Sequence, residues 1–386
     1  MRRGGKCRRT AALLWSALLF FCAGMPVLAA PAGDREAVPA VSSLSAAVYE
    51  PQSGTFLYEK DAHTARPMAS TTKLMTALLA AECLDPDSSV SVPAAALPVE
   101  GTQIGLAAGD TVTVRDLLAG LLLASGNDTA NALALLMDDS FSAFSARMND
   151  RAQALGMADS HFVTPSGLDA EGHAATAADM ARLGAAVLQK PLLAELCRSQ
   201  TAAVTVSGRR MTLSNHNKLL RLCDGCIGLK TGFTKKAGRC LISAAERNGV
   251  TLIVATLKGG DDWNDHIALY RYAFSLVRGE TLPDVAPTAC AVAGGTAAAV
   301  PLTAAAPPFC VLKKDETVRT EVELLSFVWA PVTAGQRLGQ VRYLAGGRLL
   351  AELPLYAGET VEARPVPNFV QRLRRHLGQL FGALLR

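Results

Sequence analysis

The sequence is short of several features that would direct its reading elsewhere. Basic charge is not concentrated in its body: the formal net charge is +4, and much of it comes from Arg2, Arg3, Lys6, Arg8 and Arg9 at the start and Arg364, Arg372, Arg374, Arg375 and Arg386 at the end. What lies between is near neutral or acidic, so no nucleic-acid partner is expected. Beyond the first 29 residues there is no long uncharged apolar stretch, and no repeat of solenoid period is visible. Histidines 63, 161, 173, 216, 266 and 376 are scattered. Cys223 and Cys226 therefore have no second pair of close ligands, and neither metal nor cofactor is expected.

What is there describes a folded protein. Half of the 386 residues are hydrophobic, 19% are charged, and 32 Gly and 19 Pro are spread along the chain, which suits a main domain, a smaller one and tails. Residues 1–29 read as a secretory signal, with a basic start, the apolar run "AALLWSALLFFCAGM" and small residues suited to cleavage after Ala29. The alternative, an uncleaved anchor, fits less well because the run is shorter than a comfortable span. Removing Cys7 and Cys22 with the signal leaves seven of nine cysteines, so at least one thiol is unpaired within the chain, buried or shared.

After a linker over residues 30–42, "SAAVYEPQSGTFLYEKDA" reads as two strands around Gln52-Ser53-Gly54. Apolar residues at helical spacing follow in "MASTTKLMTALLAAECL", "TVRDLLAGLLLA", where Thr113 and Asp116 suggest a capping box, and "NDTANALALLMDD". Two β-rich runs then flank Asn248-Gly249, a strong hairpin signal, and "DHIALYRYAFSLVRG" closes the region as a helix. The predicted fold class is α/β: an antiparallel sheet flanked by helices over residues 43–280, then a small all-β, sandwich-like domain over 284–361. Residues 366–386 wind into a helix with Phe369, Val370, Leu373 and Leu377 on one face and Arg372, Arg375 and His376 on the other. Such a helix suits a membrane surface, or docking on the β module or a second copy.

Three constellations carry chemistry. Ser70 and Lys73, at i and i+3, share a helix face, so the amine reaches the hydroxyl, and the helix start offers free N–H groups for a developing oxyanion. A lysine serves as base only if burial and nearby positive charge lower its pKa. Ser125-Gly126-Asn127 falls in the break between two apolar helices, where polar groups need partners or serve a site. Lys230-Thr231-Gly232 stands at the start of a predicted strand. There Gly232 leaves room for an extended substrate, and the other two offer a cation and a hydroxyl to a carboxylate. Each has a bland alternative: a capped helix, an ordinary helix cap and a surface turn.

Their order and settings together resemble the Ser-x-x-Lys, Ser-x-Asn and Lys-Thr-Gly elements of penicillin-binding proteins and serine β-lactamases. Among these the chain is most similar to the D-alanyl-D-alanine carboxypeptidases. Stretches such as "GMADSHFVTPSGLD", "NHNKLL" and "GLKTGFTKKAGRCLISAAERNG" extend the likeness over roughly residues 43–274, and the β module and basic helix also look like that family's second domain and membrane anchor. The resemblance implies Ser70 as acyl-ester nucleophile, Lys73 as proton acceptor and Ser125 as proton relay. It makes Asn127, Lys230, Thr231 and Gly232 substrate-binding, with the backbone N–H of Phe233 an oxyanion donor. It implies the peptidoglycan stem peptide as substrate, β-lactam antibiotics as acylating agents, and action outside the cytoplasm, at the outer face of the membrane.

Two departures are visible. Some members carry His where this chain has Phe233, and many carry an Arg shortly after the hairpin, where this chain reads "GGDDWNDH". Glu171 and Glu195 lack the E-x-x-x-N setting of a β-lactamase, so slow release of penicillin is expected; a non-catalytic wall-binding protein of the same fold is the other rival. "CDGC" reads as a turn entering a strand, holding a local disulfide or two spare thiols. Cys290 and Cys310 are candidates for a second bridge inside the β module, and Cys240 for a buried core residue.

Overall fold

The computed structural model describes residues 36–365 and 369–384; the expected signal, residues 1–29, and the first six residues of the linker, 30–35, lie outside the described residues. A five-stranded antiparallel sheet organises the first part. Its strands are β1 (Ser45–Glu50), β2 (Thr55–Lys60), β3 (Cys226–Thr234), β4 (Gly238–Arg247) and β5 (Val250–Gly259), in the order β2-β1-β5-β4-β3. The β4–β5 hairpin turns on Asn248 and Gly249, both at positive φ (50° and 77°), the conformation that makes Asn-Gly the preferred pair at such a turn.

Alternate residues of the central strands go to opposite faces, and both faces are apolar. Ala46, Val48, Leu252 and Val254 enter one core, while Ala47, Ile253 and Ala255 enter the other. This two-sided burial explains why "LIVAT" is a continuous apolar run rather than an alternating one. The larger core is roofed by α1 (Lys73–Cys83), α2 (Val114–Leu122), α3 (Asn127–Met137) and α4 (Ala177–Leu188). The other is covered by α5 (Asp262–Leu276), whose Leu269, Tyr270 and Ala273 are buried. Within α1, Leu74, Met75, Leu78 and Leu79 are buried, each contributing roughly 1.5–3 kcal/mol. Thr113 caps α2 by accepting from the Asp116 N–H, as its spacing predicts. A four-stranded sheet of Ser89–Ser91, Thr111–Thr113, Thr201–Val206 and Arg209–Ser214 is an addition to the predicted elements.

From Val277 to Ala357 every described element is a strand, as the alternating pattern there predicts. A six-stranded sheet contains β6 (Ala289–Ala293), β7 (Ala299–Thr303), β8 (Arg319–Leu324), β9 (Val328–Trp329), β10 (Arg337–Ala345) and β11 (Arg348–Ala357), in the order β8-β10-β11-β7-β6-β9. The strand Val277–Thr281, which continues directly from α5, pairs with Phe309–Lys313. Gln52, at the β1–β2 turn, accepts from Val311 N–H and donates to Phe309 O, bonding the first hairpin to that pair. The final helix is α6 (Phe369–Leu384). Among the described residues, no helix is long and apolar enough to cross a membrane.

All seven cysteines of the described residues are free thiols. The expected Cys290–Cys310 bridge is therefore corrected: Cys290 packs with Val300 and Val328 in one small core, and Cys310 with Val341 and Tyr343 in another. Cys223 and Cys226 are the spare thiols of the two alternatives, hydrogen-bonded to the carbonyls of Asp224 and Gly228. Cys240 is fully buried on β4, as its apolar setting predicts.

Candidate active site

Ser70 lies in the 3-10 turn Ala69–Thr72, just ahead of α1, rather than within the helix itself. That turn is constrained on several sides. Ala69 has φ 49°, uncommon for a residue with a Cβ, and the hydroxyls of Thr71 and Thr72 donate to Met68 O and Ala69 O at 2.6 and 2.8 Å. His173 holds it from a distant loop. Its Nδ1 accepts the Val163 N–H at 2.8 Å, so Nε2 carries the proton and donates to Thr72 Oγ1 at 2.9 Å. Burial, with a smaller push from His161, lowers this imidazole to about 4 and keeps it neutral. Gly167, at φ 82°, closes against the same turn, where a Cβ would lie 2.0 Å from Ala69 O.

Lys73 opens α1 with its side chain fully buried. Its Nζ stands 2.9 Å from Ser70 Oγ, 2.7 Å from Asn127 Oδ1 and 2.7 Å from Ser166 O. Burial drives the ammonium well below the usual lysine range, and the charge of Lys230 adds to this while Asp128 opposes it. A neutral amine has two N–H donors and one lone pair. Two of the three neighbours, a carbonyl and an amide oxygen, only accept, so the lone pair falls to the Ser70 hydroxyl. This geometry would let the amine accept the hydroxyl proton.

Ser125 and Asn127 occupy the break between α2 and α3. Ser125 is held at φ 61° and is almost buried. Asn127 Nδ2 donates to Glu100 O at 2.6 Å, which orients the amide so that Oδ1 faces Lys73. Next to it, the buried Asp128 carboxylate accepts from the N–H groups of Ile104, Gly105 and Leu106 at 3.0–3.1 Å. It thereby shapes the loop that carries Thr102 to the cleft.

Lys230, Thr231 and Gly232 lie in the middle of β3, the edge strand of the sheet, and not at its start. Gly232 has a packing reason to be glycine: a Cβ there would meet Ser70 N and Thr71 N at 3.0 Å. Lys230 is 1% exposed, and burial lowers its ammonium to about 7, partly offset by Cys197. Its Nζ donates to Thr231 O at 3.0 Å.

A cleft of about 390 Å³ opens between these elements, lined by Ser70, Ser125, Thr231, Gly232 and Phe233. Phe233 is 66% exposed and forms its rim. Lys73, Asn127 and Lys230 are buried behind the wall, so the eight residues singled out from sequence gather at one place. The cleft also takes Thr102, His216, Lys218, Arg239, Asp262 and Trp263. Of these, Arg239 lies opposite Phe233 on β4, its guanidinium 5.3 Å from the Trp263 ring centre and bonded to Asp262 at 2.6 Å. Glu171 and Glu195 are exposed and not among its lining residues. Among the described residues no group of three or more His, Cys, Asp or Glu is placed to hold a metal.

Comparison with known proteins gives the family. The family model described as D-alanyl-D-alanine carboxypeptidase matches residues 32–260, and that of the penicillin-binding protein 5 C-terminal domain matches residues 279–363. The D-alanyl-D-alanine carboxypeptidase DacF of Bacillus subtilis is 30% identical over 366 residues, 90% of this chain and 92% of that protein. The solved D-alanyl-D-alanine carboxypeptidase of Mycobacterium tuberculosis is 34% identical and covers 64% of this chain and 96% of its own at a TM-score of 0.59. DacD of Francisella tularensis, at 24% identity, shares the fold over 86% of this chain and 96% of its own, with a TM-score of 0.60. With a family match spanning more than half its length, and with Ser70 lining the cleft and bonded to the Lys73 buried behind it, the chain belongs to the serine-type D-alanyl-D-alanine carboxypeptidases.

Proposed function

We propose that Ser70, Lys73 and Ser125 carry out a two-step acyl transfer that removes the terminal D-alanine from peptidoglycan stem pentapeptides. Ser70 Oγ attacks the carbonyl carbon between the last two D-alanines as Lys73 Nζ takes its proton. The backbone N–H groups of Ser70 and Phe233 receive the developing oxyanion. Ser125 relays a proton to the departing amine, free D-alanine leaves, and water then hydrolyses the acyl-serine. Asn127 holds the amine of Lys73 and the substrate amide. Lys230 and Thr231 take the terminal carboxylate, which in turn favours the charged form of Lys230.

The observation that carries this reading is the 2.9 Å contact between a buried Lys73 amine and Ser70 Oγ, with both amine donors already assigned elsewhere. The arginine that the sequence lacks after the β4–β5 hairpin has a counterpart in Arg239, which reaches the cleft from β4 and contributes to carboxylate binding. The catalytic part spans residues 43–280 and the β module 284–361. Export through the N-terminal signal places the enzyme outside the cytoplasm, with the helix over residues 366–386 on the membrane surface, its Arg side chains on anionic headgroups.

Mass spectrometry after incubation with penicillin tests the site: a stoichiometric adduct on Ser70 that persists for minutes is the expected result. No adduct, with the protein folded, would leave a wall-binding protein; rapid turnover of penicillin would leave a β-lactamase.

A further inference from the structure

The β module carries an exposed apolar surface that catalysis does not use. Leu325, Phe327 and Trp329 alternate along the edge of its sheet, at 60%, 48% and 72% exposure, while Val328 between them is buried in the module's core. The Phe327 and Trp329 rings meet edge to face at 5.5 Å. No charged residue occurs between Glu323 and Arg337. An aromatic cluster of this kind, exposed among the described residues, marks a contact surface.

Its position in the fold says what it touches. Strand β9 pairs in parallel with β6 through Val292–Val328 and Ala293–Trp329, and the next residue, Gly294, lies against the Trp329 ring. The chain that leaves the module toward α6 exits at this same point: Ala363 bridges Gly295, Arg364 N–H donates to Gly294 O, and Arg364 Nε donates to Gly295 O. A few residues later α6 begins, with Val370, Leu373 and Leu377 exposed beside Arg372, Arg374 and Arg375. The uncharged aromatic edge and the segment of chain that leads to the basic amphipathic helix thus share one end of the module.

We propose that Leu325, Phe327 and Trp329 enter the interface of an anionic phospholipid bilayer, as a second anchor beside α6. The inference rests on the membrane reading of that helix. Tryptophan and phenylalanine suit this depth because their rings displace interfacial water while the indole N–H keeps a polar partner. Two attachment points rather than one fix the orientation of the module on the membrane, and a single amphipathic helix does not do that.

The test uses the exported form beginning at Ala30 and vesicles of phosphatidylglycerol and phosphatidylethanolamine. The emission of Trp329 is isolated as the difference between wild type and Trp329→Phe. A blue shift on vesicle binding, with quenching by lipids brominated near the headgroup, is expected. The double variant Leu325→Ser, Phe327→Ser should lose about tenfold or more in vesicle partition, since two large apolar side chains no longer leave water. Unchanged acylation of Ser70 by penicillin checks that this variant is folded. Vesicle binding with Trp329 unshifted and unquenched would overturn the inference, leave the helix reading standing and assign the surface to a protein partner. Absence of any vesicle binding would overturn both.

Discussion

Replacing Gly167 with alanine tests whether the turn that presents Ser70 is held by contact. A Cβ at residue 167 would stand 2.0 Å from Ala69 O and 2.8 Å from Thr72 Oγ1, whereas ordinary contact begins near 3.4 Å. The turn must therefore retreat by more than an ångström, and the partner of His173 moves with it. The φ of 82° adds about 1–2 kcal/mol for a residue with a side chain, and overpacking adds about 1–3 kcal/mol. Together these lower the melting temperature by roughly 5–15 °C for a domain of this size. Because Ser70 Oγ is placed 2.9 Å from Lys73 Nζ by that turn, a shift of about an ångström should slow acylation about 10²-fold. Stopped-flow acylation by a chromogenic β-lactam and thermal unfolding by circular dichroism measure the two effects. Gly156→Ala is the control, since Gly156 has a similar φ of 71° with nothing within 4 Å. It should lose about 1–2 kcal/mol of stability and keep its acylation rate. Equal rates for Gly167→Ala and Gly156→Ala would refute the idea that contact with Gly167 positions the nucleophile.

Other consequences follow from the same geometry. Burial lowers Lys230 to about 7 in the free enzyme, and a bound carboxylate holds its charged form, so kcat/KM should fall with rising pH at a lower pH than kcat does; coincident alkaline limbs in pH–rate profiles would count against carboxylate binding there. Arg239→Gln should raise KM for peptides with a free terminal carboxylate about tenfold while changing kcat little, because the guanidinium lines the cleft without touching Ser70 or Lys73; a loss confined to kcat would contradict this. With Cys223 and Cys226 free, a reducing agent should leave both melting temperature and acylation rate unchanged, and a drop in melting temperature of several degrees would show that a bridge forms.

The legible parts of this protein were those whose signal is local. Asn248-Gly249 announces its hairpin because both residues tolerate positive φ, and Thr113 announces a cap because its partner N–H is three residues on. The three short motifs pointed Ser70, Ser125 and Lys230 to one site only as a set, since separately each has an ordinary helix-cap or turn explanation. The residues that support them were not legible. Gly167 meets Ala69, His173 meets Thr72 and Asp128 meets the loop at Ile104 to Leu106 across long stretches of chain, and a lone Gly, His or Asp carries no mark of such a partner. Arg239 was hidden for a similar reason: the family resemblance points to a cation after the β4–β5 hairpin, where the sequence reads "GGDDWNDH", whereas the sheet brings Arg239 to the cleft from the hairpin's own first strand. Membership of one module misleads where topology intervenes, as with Cys290 and Cys310, which fall in separate small cores.

The central claim is that Ser70 attacks a D-alanyl-D-alanine bond. Its most direct test is release of free D-alanine from a synthetic peptide ending in D-Ala-D-Ala, with wild type and Ser70→Ala compared at equal concentration. Steady release by wild type and none above background by Ser70→Ala is the expected result. Release that survives the loss of the Ser70 hydroxyl would contradict the mechanism.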